Sequence, residues 1–217
     1  MTYISWASLY EGSTDRSYFD VLIPRIMEEL TQQFGKRAVT IPINPAVDLG
    51  VFGRNPDRVA QEVESNASSF HLLFLHLDVG GRAQEATLPR RIEEYVSAIR
   101  QRCDWREDRC IIVAPRHETE AWVMADPKSV CDALGYRGPL DPLGLPVSAA
   151  DAERLPDPKA VLERAVSTVS GRRARRGGSQ IFSRIAQIQP LAELRGSQTY
   201  RRFEENLKVG LSSLGCL

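Results

Sequence analysis

The stretch FHLLFLHLD (residues 70–78) constrains the fold more than any other part of the chain. It is apolar at successive rather than alternate positions, so a strand built from it must be covered on both faces, the condition of a strand inside a parallel sheet. RCIIVAP (109–115) is a second run of this kind, residues 2–9 of TYISWASLY read as another strand, and RAVTIPI (37–43) as a short one. Helical spacing fills the intervals. RSYFDVLIPRIMEELTQQF carries apolar pairs at 18/19, 22/23 and 26/27 and then Leu30, with Pro24 marking either a kink or the true first turn. NPDRVAQEVESNAS (55–68) opens with Asn before Pro, a helix start, and Leu88, Ile92, Tyr95, Val96 and Ile99 form one amphipathic face. The alternation predicts an α/β fold: a parallel sheet flanked by helices, with ligands at the carboxyl ends of the strands.

HETEAWVMADPKSVCDALG (117–135) is helical in pattern and closes this α/β region, residues 1–135. A Pro-rich linker follows over 136–158, with five prolines and little periodicity. Residues 159–217 read as a basic helical C-terminal part. They hold 11 Lys/Arg against 4 Asp/Glu, while the whole chain is balanced at 28 against 28, so the remainder is correspondingly acidic. At 42% apolar and 26% charged residues the chain is expected to be globular rather than disordered. No run approaches a membrane span and the first residues lack a secretory pattern, so a cytoplasmic location and no membrane partner are expected. Cys103, Cys110, Cys131 and Cys216 show no CxxC spacing and read as reduced thiols.

Carboxylates gather where the strands end: Glu11 and Asp15 after the first, Asp78 after FHLLFLHLD, and Glu118 and Glu120 after RCIIVAP. Hard divalent cations such as Mg²⁺ or Mn²⁺ take oxygen ligands from a few carboxylates and keep other positions for water and phosphate. The Gly80-Gly81 step lets backbone approach a phosphate. Each acid also has a plainer reading. Asp15 caps a helix, Asp78 forms a turn before glycine, Glu118 and Glu120 favour a helix N-terminus, and Glu11 is an exposed turn residue. His76 shares a side of its strand with Asp78, whereas His117 reads as a cap and Trp122 as core. Arg172, Arg173, Arg175 and Arg176, in a glycine-flanked loop, suit non-specific phosphate contact with a nucleic acid.

YEGSTDRSYF after the first strand, the Asp ending FLHLDVGG, PRHETEAWVMADP and the closing helical tail together resemble the Toprim-like DUF4276 family, which is similar to the nuclease domains of OLD-family proteins. The resemblance runs in order over nearly the whole chain. It implies a metal-dependent nuclease that cleaves DNA or RNA, with Glu11 and Asp78 as metal ligands and Asp15 supporting a metal. Related proteins work beside a separate ABC- or AAA-type ATPase in bacterial defence against phage, and this sequence has no Walker phosphate loop. The family commonly carries Asp-x-Asp at the third strand, whereas here the sequence is Asp78-Val79-Gly80. Glu118 fills that gap in the expected catalytic set of Glu11, Asp78 and Glu118, with Glu120 behind it. The missing Asp also admits the alternative of a non-catalytic Toprim-like binding or regulatory subunit of an ATPase complex.

Overall fold

The computed structural model describes residues 2–50, 55–80, 85–170 and 178–217. Its strands are β1 (Thr2–Tyr3), β2 (Trp6–Leu9), β3 (Val39–Thr40), β4 (Val47–Asp48), β5 (Leu72–His76) and β6 (Cys110–Val113). The main sheet has the order β4-β2-β5-β6, and every pair in it is parallel, with Ala7 opposite Leu73 and Leu75 opposite Ile112. From β2 the chain goes first to one neighbour, β4, and then crosses to the other, β5. The carboxyl ends of β2 and β5 therefore flank the point where strand order reverses, the place where open α/β sheets leave a crevice.

Helix α1 (Ser13–Phe34) follows β2, α2 (Pro56–Asn66) precedes β5, and α3 (Leu88–Arg102) joins β5 to β6. Successive side chains of the central strands go to opposite cores. Trp6, Leu72, Phe74, Ile111 and Val113 share one cluster with Tyr18, Phe19 and Leu22 of α1. Ala7, Leu9, Leu73 and Leu75 share the other with Val59 and Val63 of α2 and with Tyr95 and Ile99 of α3. Both faces of β5 are thus covered, as its unbroken apolar run demands. Each large apolar side chain so buried contributes about 1.5–3 kcal/mol.

Beyond β6 come α4 (Glu120–Val123), α5 (Pro127–Leu134), α6 (Ala149–Ala152), α7 (Pro158–Ser170), α8 (Gly178–Ile188), α9 (Leu191–Leu194) and α10 (Gln198–Ser213). Phe182, Tyr200, Phe203 and Leu207 from this stretch enter the same cluster as Trp6 and Phe19. Helix α10 lies directly on β6: a Cβ on Gly210 would stand 2.9 Å from both the Asp108 carbonyl oxygen and the Ile111 side chain, so only glycine admits the approach. Trp122 is fully buried and donates from Nε1 to Thr199 Oγ1 at 2.9 Å, which assigns it to packing.

Several expected elements differ in their limits. The strand over 2–9 is two pieces, because β1 pairs with β3 in a separate sheet while Ser5 is drawn aside to His71, whose Nδ1 lies 3.0 Å from the Ser5 amide. Pro24 is not in a first turn, since α1 begins at Ser13 and carries it as a buried interior residue. The helical run over 117–135 breaks at Met124, and α5 starts afresh with the Asp126 carboxylate accepting from the amides of Lys128 and Ser129 ahead of Pro127. Within 136–158 lie α6 and a 3₁₀ turn at Asp141–Leu143, with Leu143 buried. Among the described residues no helix is long and apolar enough to cross a membrane.

Candidate functional site

Gly12, in extended backbone, is the residue from which α1 departs, and its position is tight: an added Cβ would meet Asp15 Oδ2 at 2.9 Å. The Asp15 carboxylate therefore folds back over the strand-to-helix corner and is buried there rather than capping the helix from outside. Glu11, on the same corner, accepts a hydrogen bond from Arg91 at 3.0 Å. The other arm of that guanidinium donates to the Asp78 carbonyl at 2.7 Å. Arg91 of α3 thus ties the end of β2 to the end of β5.

His76 is the last residue of β5 and has no exposed surface. Its ring packs against Phe19, with centroids 5.0 Å apart, and stands between acids from two elements. Nδ1 is 3.9 Å from Asp15 Oδ2 and Nε2 is 3.5 Å from Asp78 Oδ1, while Thr119 Oγ1 lies 3.2 Å from Nε2. Burial holds the imidazole below its ordinary range, against the opposing pull of Asp15 and Glu11, so the ring is neutral at pH 7.

The third corner is stitched to the second. Gly80 donates its amide to the His117 carbonyl at 2.9 Å, an isolated antiparallel bridge, and His117 takes a left-handed backbone with φ of 64°. That bridge brings the Glu118–Glu120 turn to Asp78. Burial first, and then the charges of Asp15, Glu11, Glu120 and Glu118, push the Asp78 carboxyl up to about 8. Burial likewise raises Glu120 to about 7, helped by Glu118 and Asp15 and opposed by Lys159. The five acids singled out in the sequence therefore lie within one another's electrostatic field. Two of their oxygens, Asp78 Oδ1 and Glu118 Oε2, are buried with no hydrogen-bond partner.

The donor set suits a hard divalent cation in kind, since every acid offers oxygen and two oxygens are buried and unpartnered. It is not gathered into a finished cage: among the described residues no three His, Cys, Asp or Glu side chains stand as a group that could hold a metal ion. Glu11 is turned to Arg91 instead. A cation entering this corner would have to draw Glu11 away from that guanidinium.

Arg91 and Thr119 are site residues that sequence reasoning missed. Arg91 did carry a signal, because an arginine in the first turn of a helix works against the helix dipole and needs a partner elsewhere. Thr119 carried none. Arg172, Arg173, Arg175, Arg176 and Gly81 lie outside the described residues. The chain re-enters the description at Gly178, where a Cβ would touch the methyl of Thr14 at 3.9 Å, one residue before Asp15. Comparison of the chain with family models, with curated proteins and with solved structures finds no match.

Proposed function

We propose that the chain is a Toprim-like, metal-dependent nuclease that cleaves phosphodiester bonds of DNA or RNA. One observation carries this reading: carboxylates from three separate strand ends lie within one another's electrostatic field at the carboxyl edge of the sheet, with buried oxygens of Asp78 and Glu118 left without a hydrogen-bond partner. Glu11, Asp78 and Glu118 would hold Mg²⁺ or Mn²⁺, with Asp15 and Glu120 supporting them. Such an ion stabilises charge on phosphoryl oxygens and lowers the pKa of bound water.

The chain's own groups have separable tasks. Asp78, whose carboxyl burial and neighbouring acids push up to about 8, would hold the ion in its ionised form. His76 and Thr119 fix the floor beneath it, and the neutral imidazole adds no charge that would compete with a cation. Arg91, which now holds Glu11, would be available to a phosphate oxygen if Glu11 turned to such an ion. In this reading Arg172, Arg173, Arg175 and Arg176 would supply contacts to the polyanion. A separate ABC- or AAA-type ATPase, a role in antiviral defence and a cytoplasmic setting belong to this same proposal.

A specific observation favours a second reading. The Arg91–Glu11 ion pair and the lack of an Asp at Gly80 suit a site that binds a nucleotide or nucleic-acid end without cutting it. Purified protein incubated with labelled DNA and RNA in Mn²⁺ separates the two. Cleavage that disappears in both Glu11→Ala and Asp78→Asn supports the nuclease, and binding without cleavage supports the module. Failure of Mn²⁺ to raise the melting temperature of the wild type removes the metal site from both.

A further inference from the structure

The far side of the sheet presents a feature that the acid corner does not use. Strand β6 is the outermost strand, and its free edge pairs with no described strand. A groove of about 880 Å³ runs along that edge between α3 and α10. Because Leu77 donates to the Val113 carbonyl, Val113 and Ile111 turn their backbone groups toward β5, and Ile112 turns its N–H and C=O outward into the groove. Val209 of α10, 57% exposed, lines the same groove. An open edge with an apolar wall is a template for another strand.

The charges along the groove indicate which strand. Three ion pairs are closed within the chain: Arg100 with Glu107, Arg106 with Asp108, and Arg116 with Glu85. Asp104 and Arg202 are left exposed, with no ion-pair partner among the described residues. They stand at opposite ends. Asp104 precedes β6, on the side where Gly210 near the end of α10 meets Asp108, whereas Arg202 lies about two turns earlier in that helix, lining the groove with Thr199, Ala114 and Arg116. One unpaired acid at one end and one unpaired base at the other is a self-complementary pattern. A twofold axis through the middle of β6 would bring each Asp104 to the partner's end that carries Arg202.

We propose that this edge is a self-association face: two copies pair their β6 strands antiparallel, forming one continuous sheet, with Asp104 of each copy against Arg202 of the other. The groove walls then close over Val209 and the half-buried Ile112. The two acid corners, each at the carboxyl ends of its own strands, face opposite ends of the joined sheet. This assembly does not depend on what the acid corner does.

Sedimentation equilibrium of the full chain from about 1 to about 100 µM reads the proposal directly, a dimer being expected within that range. Asp104→Arg should weaken association by at least about tenfold, and the double exchange Asp104→Arg with Arg202→Asp should restore it. Ile112→Pro, which removes an outward N–H and leaves the β5 ladder intact, should give a monomer with wild-type circular dichroism. If that proline unfolds the chain, the charge exchange alone decides. A monomer at every concentration overturns the proposal and leaves the edge to the strand of a different protein. A dimer indifferent to the charge exchange overturns it too.

Discussion

A buried and a half-buried carboxylate in this molecule live under opposite rules. Glu153, next to α6, is 5% exposed and accepts from the Ser197 hydroxyl, the Gln198 and Thr199 amides and the Thr199 hydroxyl. Burial pushes its carboxyl upward, yet those hydrogen bonds prevail and hold it below the ordinary range. Asp78 has one buried oxygen without a hydrogen-bond partner, 3.5 Å from His76 Nε2, and four acids around it, and is raised to about 8. Glu153 has its needs met inside the chain and serves the start of α10. Asp78 does not, and the proposed cation is what would meet its need.

The largest expected effect tests the satisfied side of that contrast. Glu153→Ala strands four donors at the start of α10, and chemical denaturation should show a loss of about 3 kcal/mol. The same substitution should leave any Mn²⁺-induced rise in melting temperature unchanged, because Glu153 takes no part in the acid corner.

The pH dependence of stability divides the two sites by sign. Asp78 and Glu120 bind their protons more tightly folded than unfolded, so without divalent cations their contribution is full at low pH and is lost as pH rises toward about 8 and about 7. Glu153 is depressed, so its contribution is present above its unfolded value and is lost as pH falls through its folded one. Thermal melts from pH 5 to 9 in EDTA should therefore decline from pH 5 to about 8 and level off above it. Asp78→Asn should flatten that decline and raise the metal-free melting temperature, while largely abolishing the rise produced by Mn²⁺. A decline that Asp78→Asn leaves untouched would place its origin elsewhere.

The smallest effect is at Gly12. Gly12→Ala pushes a methyl toward Asp15 Oδ2 and should cost about 1 kcal/mol or less in EDTA. Its weight falls on the site instead, as a Mn²⁺ affinity several-fold weaker by titration calorimetry.

The sheet and its helices were legible because unbroken apolar runs such as 70–78 have few other solutions than a strand covered on both faces. The corner acids were legible for a related reason: a strand's end can be read from where its apolar run stops. Breaks decided by distant partners were not. Nothing in TYISWASLY announces that Ser5 will be claimed by His71, and β4, two residues long, is too short to show a period. The start of α5 was in fact written in Asp126-Pro127, but the apolar rhythm on either side hid it. Arg91 was the chief omission at the site, since only the folded chain shows which acid a helix-borne guanidinium reaches.

The single hydrogen bond from Gly80 to His117 has a mechanical meaning. It clasps two loops that issue from neighbouring strands, and it does so through a histidine held in a backbone shape that costs non-glycine residues about 1 kcal/mol or more. Asp78 and Glu118 consequently travel as one body: whatever tugs on either loop resets the span between both acids, and unfastening the clasp would slacken the pair together.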